Sequence, residues 1–356
     1  MKHNRIILLF TLFVAGLASC KKDKDDSSAP KVTTGVYVLS EGDYGFNNSM
    51  LTYYNESTGA VSTDFFSKAN NGTGLGDTGN DLLIYGGKLY IVVHASSVLT
   101  IADKLTGQKI KNIDFLTPGG AKSQPRYVVA YKNKVLVSAY DGTVAVIDTA
   151  SQTIEKKITV GANPEQMVVL GDKLYVANSG GLATVKDSTI SVINLTSMTE
   201  LQKIKTGLSP SFMTADESGN IYVICSGDYF SSIMPKLAKI STSTNSMVKI
   251  ADTITGRIQY YNGALYATGG YSGSKYVRKL STTDFKQDAA NFVTDGTSIT
   301  MPYGLNVDPQ NGDVYVTDAK DYTTSGEVFC FDKTGKKKFS FSTSPAVNPG
   351  AIVFIK

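Results

Sequence analysis

Asp172-Lys173-Leu174-Tyr175-Val176-Ala177, followed by Thr189-Ile190-Ser191-Val192-Ile193-Asn194, is the stretch that decides the fold. The first phrase is a turn residue followed by an apolar run centred on Tyr, and the second is a short β-branched run that ends in Asn. The first phrase recurs as Gly87-Lys88-Leu89-Tyr90-Ile91-Val92-Val93, Asn133-Lys134-Val135-Leu136-Val137, Gly219-Asn220-Ile221-Tyr222-Val223-Ile224, Gly263-Ala264-Leu265-Tyr266-Ala267 and Gly312-Asp313-Val314-Tyr315-Val316. Gly35-Val36-Tyr37-Val38-Leu39 is a seventh copy. The second phrase recurs as Val98-Leu99-Thr100-Ile101-Ala102-Asp103, Val144-Ala145-Val146-Ile147-Asp148 and Leu237-Ala238-Lys239-Ile240. Leu105-Thr106-Gly107 and Lys333-Thr334-Gly335 supply hairpin chemistry, with Gly taking the positive φ of the turn. Copies fall roughly 40 to 50 residues apart, the range of propeller repeats. About four short strands per period cannot bury both faces of their own sheet, whereas radial packing buries each blade on its neighbours. The expected fold is therefore all-β, a seven-bladed β-propeller.

The two chain ends carry matching deficits. Asn348-Pro349-Gly350-Ala351-Ile352-Val353-Phe354-Ile355 resembles the opening strand of other repeats, such as Asn163-Pro164-Glu165-Gln166-Met167-Val168-Val169, yet no further strands follow it. The first repeat, at Val36, begins with a second strand and has no opening one. The C-terminal strand is expected to complete the N-terminal blade, with Ile352, Val353 and Phe354 largely buried beside Val36-Tyr37-Val38-Leu39. A pair of β-sandwiches, the competing fold, leaves this complementarity unexplained.

Lys2 and Arg5 precede an apolar stretch from Ile6 to Leu17, which ends in Leu17-Ala18-Ser19-Cys20. This is a processing signal and not part of the fold. Small residues before a cysteine suit a lipoprotein signal peptidase, which makes Cys20 the lipidated first residue of the mature chain. The apolar stretch is short for a span of ~30 Å, so the membrane is met through the lipid anchor alone. Lys21-Lys22-Asp23-Lys24-Asp25-Asp26-Ser27-Ser28 has no apolar residue and reads as a flexible tether. The division expected is a signal peptide over 1–19, a lipidated tether over 20–34 and a propeller over 35–356. The Lys/Asp run after Cys20 is similar to the surface-export signal of Bacteroidota lipoproteins, which implies an outer-membrane, cell-surface location. A solvated spacer facing the periplasm is the alternative.

Composition narrows the chemistry. The formal net charge is +4, and two of the positive charges, Lys2 and Arg5, leave with the signal. No basic patch of nucleic-acid type appears. Cys225 and Cys330 lie in strand-like runs of different repeats and read as buried free thiols. His94 is the one histidine of the mature chain, so a histidine-rich metal site is excluded and a Ser-His-Asp triad would have to use it. With no Trp, the chain lacks the tryptophan-rich blade motif of quinoprotein dehydrogenases. No EF-hand spacing marks a calcium site. No cofactor, resident metal or catalytic residue is expected. Asp318, Lys320 and Asp321 form an acid–base cluster by composition, but such groups also serve turns.

In a propeller, the loops of one rim converge on the central channel. Here they hold Tyr44, Phe46 and Asn48, then His94, Tyr140, Tyr229 with Phe230, Tyr271, and Asp321 with Tyr322. The loops between blades add Asp77, Asn80, Arg126, Arg257 and Tyr303. These residues would line a wide aromatic and amide pocket for a large ligand. The competing reading makes half of the tyrosines plugs between blades.

Ser40-Glu41-Gly42-Asp43-Tyr44-Gly45-Phe46-Asn47-Asn48-Ser49-Met50-Leu51, Leu75-Gly76-Asp77-Thr78-Gly79-Asn80-Asp81 and Val314-Tyr315-Val316-Thr317-Asp318-Ala319-Lys320-Asp321-Tyr322 resemble a YncE-like propeller family of Bacteroidota lipoproteins, from about Val36 to the C-terminus. Ser40 stands where Asn is common in that family. The family includes BtuG-type surface proteins, so the resemblance implies capture of a corrinoid such as cobalamin and delivery to a TonB-dependent outer-membrane transporter. A ligand-free interaction scaffold on the envelope and a metal-dependent hydrolase or lactonase are the alternatives, because one propeller core serves many functions.

Overall fold

The computed structural model describes residues 32–228, 230–252, 256–269, 275–288 and 291–356. The expected signal peptide, Cys20, most of the expected tether, Tyr229 and Tyr271 lie outside the described residues. The described strands form seven antiparallel sheets, six of four strands and one of three. Each sheet is one blade of a ring, and the chain is a seven-bladed β-propeller.

Blade one combines both ends of the chain. Its order from the axis outward is Pro349–Ile355, Gly35–Ser40, Met50–Asn55 and Val61–Ser62. The innermost strands of blades two to seven are Gly79–Tyr85, Pro125–Tyr131, Pro164–Leu170, Pro210–Ala215, Ile258–Tyr261 and Pro302–Val307. The expected closure is present: Val36 faces Phe354, Tyr37 faces Val353 and Val38 faces Ile352 across the pairing. Ile352 is 4% exposed, as expected. Val353 and Phe354, by contrast, are only partly buried, because they pack at the margins of the two clusters that flank the blade.

The recurrent tyrosine is a core residue. Tyr37, Tyr90, Tyr175, Tyr222, Tyr266 and Tyr315 are all at most 3% exposed. A phenol is amphipathic, so its ring can fill the space between blades while its hydroxyl reaches a polar group at the edge. Tyr37 donates to Lys104 O at 2.8 Å, Tyr222 to Asp216 Oδ2 at 2.9 Å, and Tyr315 to Glu56. Cys225 and Cys330 are free and buried, and burial pushes the Cys330 thiol up to about 12.

Blades are also joined by side chains that serve a neighbour's backbone. Val128 N–H donates to Asp81 at 3.0 Å, Met213 N–H to Gln166 at 2.7 Å and Tyr260 N–H to Thr214 at 2.9 Å. Asn306 donates to Ile352 O at 2.8 Å, which ties blade seven to the closing strand. These bonds satisfy groups that an innermost strand would otherwise leave unpaired. Blade six has no fourth strand among the described residues. An irregular segment covers its third strand, with Asp288 N–H on Lys279 O at 3.0 Å and Phe292 N–H on Val277 O at 2.7 Å.

Closure makes the last strand a condition of stability for the ring. Burial of Ile352 alone is worth ~1.5–3 kcal/mol, and removal of Pro349–Lys356 also exposes an inner edge of Gly35–Ser40. The truncated protein should lose its cooperative melt or melt at least about 10 °C lower, and a midpoint within about 2 °C of full length would contradict the closure. Gly304 passes so close to the closing strand that a Cβ there would sit 2.4 Å from Gly350 O and 2.8 Å from Thr317 Oγ1. Gly304→Ala should cost about 1–3 kcal/mol. Gly87→Ala, where a Cβ meets nothing within 4 Å, is the matched control in the same denaturant titration.

Candidate functional site

A repeated backbone clamp builds the upper rim. In five blades the residue just before the innermost strand has a positive φ: Thr78 (61°), Gln124 (54°), Asn163 (44°), Ser209 (53°) and Asn348 (58°). Its carbonyl accepts the N–H of the residue just after the second strand of the same blade. The pairs are His94 on Thr78 at 2.7 Å, Tyr140 on Gln124 at 3.1 Å, Ser179 on Asn163 at 3.2 Å, Ser226 on Ser209 at 2.8 Å and Glu41 on Asn348 at 2.9 Å. Ala319 makes the same bond to Met301 at 3.0 Å in blade seven. Asn tolerates this conformation, whereas β-branched Thr78 is strained in it. Loops of different length and sequence thus present His94, Tyr140, Ser179, Ser226 and Glu41 from equivalent positions.

Residues at the start of the innermost strands supply the rest. Tyr127, Arg257 and Gly304 occupy equivalent positions, since the N–H of each donates to a hydroxyl on the second strand of its blade, Ser138, Thr268 and Thr317 respectively. Arg257 lies 4.9 Å from the Phe212 ring and 6.0 Å from that of Tyr303. A Cβ on Gly350 would be 3.4 Å from Arg257 Nη2 and 3.0 Å from Glu41 Oε1, so the guanidinium of blade six reaches toward blade one. Tyr303 donates to Glu41 Oε1 at 2.9 Å. Among the described residues no carboxylate forms an ion pair with Arg257, although the charges of Glu41 and Asp81 act on it.

Arg126 is engaged differently. Its Nε donates to Glu165 Oε2 at 2.9 Å, and the guanidinium lies 4.9 Å from the Tyr140 ring. Tyr140 in turn donates its hydroxyl to Glu165. His94 sits edge-on to Tyr140 with ring centroids 5.2 Å apart, and its Nδ1 lies 3.2 Å from Pro125 O. Burial and the nearby Arg126 charge pull its pKa down to about 4, so the imidazole is neutral at neutral pH. Burial acts in the opposite sense on the acids. It raises the Glu41 carboxyl above its ordinary value and pushes Asp81 up to about 6 against the pull of the Val128 N–H and Arg257.

The residues singled out from sequence divide into three groups. Asn80, His94, Arg126 and Tyr140 meet one another at the inner rim, and Arg257 meets Tyr303 there. Asn48, Asp77 and Asp321 shape loops: Asn48 accepts the Asp43 N–H at 2.8 Å, Asp77 the Gly45 N–H at 2.9 Å and Asp321 the Thr324 N–H at 2.6 Å. Asp318 likewise accepts the Thr300 and Met301 N–H groups at 2.8 and 2.7 Å, so the apparent acid–base cluster serves turns. Tyr44, Phe46 and Phe230 are exposed on the rim at 75%, 75% and 93%, and Tyr322 stands edge-on to Tyr303. Glu41, Asp81, Tyr127, Glu165 and Phe212 also belong to the centre, and sequence reasoning misses them. A signal for some of them lies in the prolines, because Arg126, Glu165 and Tyr303 each follow the first proline of an innermost strand, and Tyr127 and Phe212 come two residues after one. Among the described residues no three His, Cys, Asp or Glu side chains gather as a metal site.

Solved structures share the ring. A quinoprotein alcohol dehydrogenase-like protein from Bacteroides thetaiotaomicron is 17% identical, over 90% of this chain and 78% of its own, with a TM-score of 0.63. A candidate 6-phosphogluconolactonase from Bacteroides fragilis is 14% identical, over 91% and 98%, with a TM-score of 0.64. A protein from Lactobacillus plantarum is 14% identical, over 91% and 100%, with a TM-score of 0.64. At these identities the likeness is one of fold. No curated protein matches the chain. The family model described as domain of unknown function DUF5074 matches residues 34–354, which takes in strands of all seven blades including the closing one, and the chain belongs to that family.

Proposed function

We propose that the chain captures a large ligand on the rim where the innermost strands begin, and that an anionic group of that ligand docks on Arg257. The observation that carries this reading is a guanidinium set among aromatic rings at the axis, with no carboxylate paired to it among the described residues. Its planar fork of donors matches a carboxylate or phosphate, and stacking on rings holds the fork in place. Tyr44 and Phe46, exposed on the loop of blade one, offer apolar contact elsewhere on the rim. A corrinoid such as cobalamin, a large ring with a phosphate-bearing arm, meets both demands, and the resemblance to BtuG-type proteins points to the same ligand. Lipid anchoring at Cys20 on the cell surface and delivery to an outer-membrane transporter complete the proposal.

Calorimetry with cobalamin and with cobinamide, which lacks the phosphate-bearing arm, tests it. Cobalamin is expected to bind with a Kd below about 1 μM, and Arg257→Met to weaken it at least about tenfold. Absence of heat from both corrinoids overturns that ligand, and unchanged affinity in Arg257→Met overturns the docking point.

The two buried acids give binding a pH dependence of definite sign. Above about 6, Asp81 is ionised and its negative charge opposes an incoming anion. As pH falls through that value the carboxyl becomes neutral, Glu41 following the same trend, and the field of Arg257 is less offset. Affinity for a phosphodiester ligand should therefore rise as pH is lowered from well above the Asp81 value to just below it, a change read directly from calorimetric titrations on the two sides.

A further inference from the structure

A cavity whose wall does not include Arg257 opens on the same rim, between blades four and five. It measures about 350 Å³, and its walls include four serines, Ser179, Ser209, Ser211 and Ser226, together with Lys186 and Asp228. That volume lies at the lower end of small-molecule sites, too small for a macrocycle. Each serine hydroxyl can both donate and accept.

The wall has hydrogen-bonding capacity that the protein leaves unspent. Two of the serines do not contribute: Ser209 Oγ has no hydrogen-bond partner among the described residues but is buried behind the wall, and Ser179 Oγ already donates to Asn163 O at 2.8 Å and accepts the Gly181 N–H at 3.0 Å. Ser211 Oγ donates to Ile224 O at 3.2 Å and shares a second hydrogen bond with Ser226 Oγ at 2.8 Å, which leaves acceptor capacity on both hydroxyls. Lys186 Nζ donates to Gly181 O at 2.6 Å and Ala183 O at 3.4 Å, two of its three N–H groups. Asp228 accepts the Phe230 N–H at 3.2 Å and the Ser231 hydroxyl at 2.6 Å, and a carboxylate has room for about four such bonds. Phe230 stands at the lip with its ring exposed.

Charge selects among occupants. Glu165, also in the wall, is already neutralised by Arg126, and Lys186 and Asp228 bring one charge of each sign. An anion would meet Asp228, and a cation would meet Lys186. A neutral molecule with several adjacent hydroxyls finds both donors and acceptors, and the C–H face of a sugar ring finds the Phe230 ring.

We propose that this cavity is a saccharide-binding subsite, in which Ser211, Ser226, Lys186 and Asp228 hydrogen-bond the hydroxyls of one sugar unit and Phe230 covers its apolar face. It stands independently of the Arg257 reading, and either can fail alone. Saturation-transfer difference NMR on the mature protein, without corrinoid, is the test. The probes are glucose, galactose, mannose, N-acetylglucosamine and lactose at about 10 mM, enough to occupy a site with a Kd near 1 mM. Ring-proton signals are expected from at least one of them. They should fall at least about fivefold in Ser226→Leu, which fills the cavity, and in Phe230→Ala, which removes its cover. Both positions are exposed, and unchanged melting curves would show that the ring is intact. No transfer to any of the five sugars, or transfer that survives either substitution, overturns the subsite.

Discussion

The upper rim depends on one hydrogen bond made repeatedly, from the N–H that follows a second strand to the carbonyl that precedes an innermost one. Each pair of strands there leaves its sheet and would expose two backbone groups in a crowded ring. Turning the preceding residue to a positive φ brings its carbonyl back to the neighbour, so both groups are satisfied without water. The strain at Thr78 and Gln124 is the local cost of that satisfaction. Because the clamp is backbone to backbone, the side chains it carries are free to vary. Glu41, His94, Tyr140 and Ser226 share one structural position and have little chemically in common.

The axis gathers buried charges, Glu41, Asp81, Arg126 and Arg257 among them. Arg126 answers this with a direct partner, and the Glu165–Tyr140 hydrogen bond completes a closed unit. Arg257 answers with aromatic rings and with two acids whose pKa values burial has raised. The two arginines therefore differ in kind. One is locked into the wall, while the other sits among rings with no carboxylate paired to it among the described residues.

The architecture is legible in the sequence because its causes are local and repeated. Apolar runs ending in turns reveal strands, and the unmatched phrase at Asn348–Ile355 reveals closure. Side-chain roles at the centre are only partly legible. His94, Arg126 and Arg257 stand out as rare residues near strand ends. Asn48 and Asp77 look like ligand groups in sequence but act on backbone N–H groups in space. Glu165 and Phe212 escape notice because their significance comes from register with other blades, which periodicity shows for strands but not for one rung of them. The half-burial of Val353 and Phe354 has a similar origin, since it is set by the clusters on either side of blade one and not by the strand's own pattern.

Closure also sets an order in time. Thr34 Oγ1 donates to Ile355 O across 321 residues of chain, and the strand that carries this carbonyl is synthesised after every other strand of the ring. Until that strand arrives, Gly35–Ser40 has an empty inner edge, and blades two to seven form an open arc. Contacts so distant in sequence form slowly, since the loop must close before any of them stabilises it. The nascent chain therefore stays open until the closing strand has followed the seventh blade, and a machine that threads unfolded polypeptide has that interval in which to act.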